Sequence, residues 1–193
     1  MLEPIIWSVW VGPLLWAVLY VSDYRLTIAC ARLYRAQDKV VFEGSYEITP
    51  FFQTDVNALR RVSPRFLIAL VATTGYLILA RVVTTAVGEL EAFYQVLLGT
   101  MILTQATVHT RHLRNWYLFK RSVGFLRGRL EYPRGVLLRN SAMELLVFTG
   151  LYAGLFLVTS SVFVLGGALG AGAMAFNHHR LARRHEAAAA RAA

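Results

Sequence analysis

The apolar run from Ala142 to Phe176 constrains this chain more than any other feature. As one helix of about 35 residues it would be about 52 Å long, and fitting it into a hydrocarbon core of about 30 Å would need a tilt near 55°, beyond the usual limit of about 40°. The run is therefore expected to break. Thr159, Ser160 and Ser161 supply the polar interruption, leaving two arms near the short end of the spanning range. A re-entrant hairpin is the alternative to two full spans.

Three further apolar stretches precede it, Ile5 to Val21, Phe66 to Val87 and Ala92 to Val108, so the expected total is about five membrane segments. Charge placement favours this count over four. Of 20 Lys and Arg residues, seven fall between the first two spans, eight between His109 and Ser141, and four beyond Phe176, leaving only Arg81. With five spans these three basic segments share one side, which the positive-inside rule makes cytoplasmic. The fold class expected is an all-α membrane protein, a bundle of about five transmembrane segments with a small cytoplasmic β-ribbon. Residues 1–177 form one transmembrane domain containing cytoplasmic segments 22–65 and 109–141, and 178–193 form a basic, alanine-rich cytoplasmic tail. The first run has no basic residue ahead of it and no small-residue cleavage pattern, so it reads as a retained span with the N-terminus outside. Arg81, near the outer end of its span, is expected to reach the interface with Glu89 and Glu91 as neighbours.

Composition agrees with a membrane location and excludes several classes. Hydrophobic residues make up 56% of the chain and charged residues 16%, against about 25% charged in soluble domains. The net charge of +9 is distributed around long uncharged runs rather than along one soluble face, which points to anionic lipid on the cytoplasmic side and away from nucleic acid. A single cysteine, Cys30, rules out an internal disulfide framework. The chain holds no HExxH, Walker, GxGxxG or GxSxG motif, and neither a metal nor a cofactor is expected.

Two cytoplasmic stretches change from helical to alternating period. In VVFEGSYEIT, Val40, Phe42, Tyr46 and Ile48 occupy one row with Gly44; in VGFLRGRLEYP, Leu126, Leu130 and Tyr132 occupy the row of Gly128. Aligning Gly44 on Gly128 sets Glu47 on Glu131, which raises a duplicated unit as one explanation. As paired strands, they would place Glu43 and Glu47 against Arg127 and Arg129. A short helix is expected to start at Thr49-Pro50 and the second span at Ser63-Pro64, each begun by a hydroxyl cap and a proline.

Five polar positions stand out as candidate functional residues. Gln105, His109 and His112 fall on one stripe of the third span, where imidazoles can bind a cation or move protons. Asp23 ends the first span within reach of His109 or Arg111, and Glu47 lies on the strand segment. Ser141 and Glu144 have the spacing of a capping box, which assigns Glu144 to helix initiation rather than chemistry. Gly166 and Gly170 form a small-residue face suited to helix packing, either within the bundle or between copies.

The leading expectation is a non-enzymatic anchoring, assembly or regulatory subunit that acts through its basic cap, as a homo-oligomer or with a membrane protein partner. A homo-oligomeric transporter or channel subunit using the polar stripe, and a membrane-embedded enzyme, are the alternatives. Burial of Gln105, His109 and His112 among Trp and Leu would favour the first. A wet cavity joining them to Glu47 or Glu144 would favour the others.

Overall fold

The computed structural model describes residues 8–88 and 90–192, with the side chains of residues 122, 123 and 192 excepted. The start of the first apolar run and Glu89 lie outside the described residues. Among the described residues six helices and two short strands occur in the order α1 (Val11–Arg35), β1 (Val40–Phe42), α2 (Pro50–Asn57), α3 (Pro64–Val87), α4 (Glu91–Phe125), β2 (Leu130–Tyr132), α5 (Arg134–Thr159) and α6 (Val162–Ala192). The fold is thus all-α in character. By length and composition α1, α3 and α5 can each cross a membrane.

The long apolar run does break where its hydroxyl residues sit. Helix α5 ends at Thr159, Ser160 takes a left-handed conformation (φ 54°, ψ 19°), and α6 starts at Val162. Its 31 residues continue without interruption through the basic tail, which is the far end of the last helix. There Arg139 of α5 and Glu186 of α6 form an ion pair at 2.6 Å.

Helix α6 packs along both α4 and α5, while α1 packs on α4 and holds α3 at the edge. The α4–α6 contact is close because it uses glycine. A Cβ on Gly166 would fall on the Val96 carbonyl, one on Gly170 would fall on Thr104, and Thr100 Oγ1 donates to the Gly166 carbonyl at 2.8 Å. Both glycines expected to serve packing therefore face α4 of the same chain. By contrast α4 and α5 are joined through side chains: Thr107 Oγ1 meets Tyr152 Oη at 3.1 Å, Arg111 donates to Ser141, and Arg114 pairs with Glu144. A cleft remains between these two helices.

Helix starts follow local chemistry only in part. Ser63 caps α3, accepting from Phe66 N at 3.1 Å. Thr49 precedes α2 without a side-chain cap, its own N–H going to Glu47 Oε1 at 2.7 Å. The capping box at Ser141 is not formed, because α5 begins seven residues earlier behind Pro133, whose extended backbone sets the start of the helix. Ser141 and Glu144 lie within α5, and Ser141 is buried.

Strands β1 and β2 pair in parallel over three residues each, with Val40 opposite Leu130 and Phe42 opposite Tyr132. This register differs from the alignment of Gly44 on Gly128, since Gly44 follows β1 whereas Gly128 precedes β2. The cross-strand charge pairs are also different from those expected. Arg129, just before β2, pairs with Glu131 of that strand at 2.8 Å. The cation that serves β1 is Arg134, which donates its backbone N–H to Glu43 at 2.8 Å and its guanidinium to the carbonyls of Ser45, Glu47 and Ile48. In a parallel ladder Arg127 precedes the paired segment, while Arg134 leaves it beside the chain that follows β1. Under the strands, Phe119 of α4 is buried among Tyr34, Phe42 and Tyr46.

Arg81 finds Glu91 at the α3–α4 junction, at 2.6 Å, with its guanidinium carbon 5.2 Å from the Tyr94 ring centroid. The pair joins α3 to α4 at the end remote from the strands.

Candidate functional site

Helix α4 has 35 residues and a length of about 52 Å, and its C-terminal half reaches the strands, where Phe119 packs on Phe42. Its polar residues at that end meet side chains from α1, α5, α6 and the segment after β1. Tyr46, Glu47, Arg111 and His112 are shared by the walls of two cavities, of about 450 and 220 Å³. The smaller also takes Asp23, Gln105 and His178, while the larger takes Arg114, Ser141 and Glu144. The two cavities adjoin across the four shared residues and form a chamber lined by both polar and apolar side chains.

The expected stripe on α4 divides between two surroundings. Gln105 and His112 face the chamber, and Gln105 Nε2 is a buried donor without a hydrogen-bond partner. His109 turns to α1 instead. Its Nδ1 lies 2.8 Å from the Gln105 carbonyl, an acceptor, so Nδ1 carries the proton and Nε2 accepts from Ser22 Oγ at 2.5 Å. Asp23 approaches both imidazoles, with Oδ1 3.4 Å from His112 Nε2 and 4.0 Å from His109 Nδ1.

His112 is buried and has polar atoms on both sides of its ring. Thr27 Oγ1 is 3.2 Å from Nε2 and Tyr46 Oη is 3.3 Å from Nδ1, while the Cys30 thiol donates to the His112 carbonyl at 3.3 Å. Burial, reinforced by the positive charge of Arg111, pushes this imidazole down to about 3, so it is neutral at ordinary pH. Burial also holds the Tyr46 phenol well above its usual range. The neutral ring is held by Thr27 and Tyr46, while the Asp23 Oδ1 beside it is buried without a hydrogen-bond partner.

A second chain of polar groups crosses the α4–α5 cleft. Arg111 Nη1 donates to Ser141 Oγ at 2.7 Å, and Ser141 Oγ meets His178 Nδ1 at 2.9 Å. Because arginine only donates, the serine hydroxyl is free to donate onward, which requires an unprotonated Nδ1 on His178. Burial lowers that imidazole to about 4, with Arg111 and Arg134 acting in the same direction.

The balance of charge is uneven. Arg114 and Glu144 neutralise each other, whereas neither Arg111 nor Glu47 makes an ion pair among the described residues. The larger cavity thus offers one cation, Arg111, and one carboxylate, Glu47, outside any ion pair, while the smaller adds the Asp23 carboxyl beside neutral His112, together with neutral donors from Tyr46 and Gln105. Among the described residues no three His, Cys, Asp or Glu side chains form a set able to hold a metal ion.

Asp23, Glu47, Gln105 and His112 are the sequence candidates that the fold brings together. Arg111, Ser141, His178 and Tyr46 were missed as site residues. Arg111 and His178 read as ordinary interfacial charge, Ser141 as a cap and Tyr46 as a strand residue, and no local pattern distinguishes these roles from a shared chamber.

No protein-family model, curated protein or solved structure matches this chain.

Proposed function

We propose that the chain is a five-span membrane protein whose working part is a binding chamber at the inner boundary, selective for a group bearing negative charge. In this reading the bilayer is crossed by α1, α3, α5, the first half of α4 and the apolar half of α6. The segment before α1 is outside. The strand pairing, the ends of α4 and α6, and the basic residues beside them form a cytoplasmic cap apposed to anionic lipid. Large apolar side chains exposed along α3, such as Ile68, Val71 and Leu79, then face lipid.

The single observation that carries the binding reading is Arg111. It lines both cavities, donates to Ser141, and has no carboxylate partner among the described residues. A guanidinium half-enclosed by low-dielectric walls attracts an anion more strongly than one in open water. A chain that served only as an anchor would use its basic surface and would have no need of a polar chamber joining Gln105 and His112 to Glu47. The anchoring surface and the chamber coexist in this proposal, the first holding the cap at the membrane and the second performing recognition.

Inorganic phosphate provides the test. At ten times its dissociation constant it should stabilise the purified protein by about 1.4 kcal/mol, seen as a rise in unfolding temperature over equal ionic strength of chloride. Arg111→Gln should abolish the rise and Arg111→Lys should retain part of it. An equal response in the parent and Arg111→Gln proteins would reject the chamber as the site.

A further inference from the structure

We propose that the chamber holds the headgroup of a phospholipid bearing a primary amine, and that the cleft between α4 and α5 holds one of its acyl chains. This rests on the chamber being a binding site and specifies its ligand.

The cavities adjoin in the order that an amphiphile requires. The large polar cavity shares Arg111, Arg114, Ser141 and Glu144 with a third cavity of about 180 Å³. The remaining walls of the latter are mainly apolar, including Val108, Leu145, Val147 and Phe148. On α4 the step from Arg111 to Val108 runs back along the helix away from the strands, and on α5 the step from Ser141 to Phe148 runs the same way. The polar end of the composite cavity therefore faces the cap and its apolar end faces the bundle, as for a lipid of the inner leaflet.

The packing explains why the cleft is open. Helix α6 contacts both α4 and α5, and those two meet across the cleft through Thr107–Tyr152, Arg111–Ser141 and Arg114–Glu144. Val147, at the mouth, is 70% exposed, so the cleft is accessible from the side. A free phosphate would leave this apolar cavity unused.

Charge selects the headgroup. With Arg114 and Glu144 paired, the groups left for a ligand are Arg111 and Glu47, both on the wall of the large cavity. A phosphate placed on Arg111 and an ammonium placed on Glu47 satisfy both. A headgroup with phosphate and no amine leaves the Glu47 carboxylate facing negative charge, and a quaternary amine removes the N–H donors that a carboxylate accepts.

The test compares lipids retained by the full-length protein after reconstitution in nanodiscs of phosphatidylcholine containing equal amounts of phosphatidylethanolamine and phosphatidylglycerol, read by native mass spectrometry. The parent should retain phosphatidylethanolamine over phosphatidylglycerol by about ten-fold, the size expected for one enclosed charge pair. Glu47→Gln should bring that ratio toward one. Val147→Trp, a change on an exposed face, should reduce retention of both lipids while the response to inorganic phosphate persists. Equal or greater retention of phosphatidylglycerol by the parent, or undiminished retention by Val147→Trp, would overturn the lipid assignment. Loss of lipid selectivity with an intact, Arg111-dependent phosphate response rejects this inference alone. Absence of both rejects the chamber as well.

Discussion

The Arg111 guanidinium donates to the Ser141 hydroxyl at 2.7 Å across the cleft between α4 and α5. Ser141 is also the partner of His178, so one buried hydroxyl links three helices. Ser141→Ala removes the acceptor for Arg111 and the donor for His178 while leaving helix packing intact. The cost expected is about 1–3 kcal/mol, the penalty of leaving buried polar groups unsatisfied, measured as a lowered unfolding midpoint in mild detergent. Ser141→Thr, which keeps the hydroxyl, should lose less.

His178 lies on α6 beyond its apolar half and supplies a pH dependence of known sign. Its folded value is lowered to about 4 from the ordinary 6.5. Above 6.5 both folded and unfolded chains hold a neutral ring, and as pH falls below 6.5 the unfolded chain takes up a proton that the native site refuses. Stability is therefore lost between about pH 6.5 and 4, amounting to about 2 kcal/mol for this group at pH 5. His178→Asn offers a neutral replacement, and the gap between parent and variant unfolding curves should narrow by that amount from pH 7 to pH 5. A gap independent of pH would reject the assignment.

The glycines of the last two helices separate into two kinds. Gly166→Ala places a methyl group on the Val96 carbonyl and should force α4 and α6 apart, costing about 1–3 kcal/mol. Gly154 of α5 has open space where a Cβ would sit, so Gly154→Ala should be neutral or stabilise by up to about 1 kcal/mol through helix propensity. Thermal unfolding of the two variants side by side checks the α4–α6 contact.

Phe119 is the buried ring beneath the strand pairing, 1% exposed among Tyr34, Phe42 and Tyr46. Phe119→Ala should cost about 3–5 kcal/mol and loosen the chamber wall that Tyr46 provides. Accelerated hydrogen exchange across residues 40–48 and 126–134, with exchange in α3 unchanged, is the expected signature. Unchanged exchange in both strand segments would show that the cap is held by other contacts.

The five-span arrangement predicts sidedness. A cysteine replacing Ala189 should resist a membrane-impermeant maleimide in intact cells and react after permeabilisation, whereas one replacing Ser160 should react from outside. Cys30 is fully buried and does not interfere. Labelling of the Ala189 position in intact cells would reverse or remove the proposed topology.

Periodicity, length and charge were enough to locate the break at Ser160, because both determinants are local: an apolar run too long for one bilayer crossing and a cluster of short polar side chains. The strand character of Val40 and Phe42 was legible for the same reason, and so was the polar stripe on α4. The partners of those residues were not legible. Glu43 met Arg134 rather than Arg127 or Arg129, because a parallel register, set by where α1 and α4 deliver their chains, decides which cation arrives. Ser141 has the sequence of a cap, yet Pro133 starts the helix earlier and turns that hydroxyl inward. The sequence by itself determined which segments are apolar, where the longest of them is interrupted and in which segments the charge collects. Only the tertiary structure decided that Asp23, Gln105, Arg111, His112, Ser141 and His178 share one chamber, since side chains from four helices converge through packing, and no spacing along a chain encodes that.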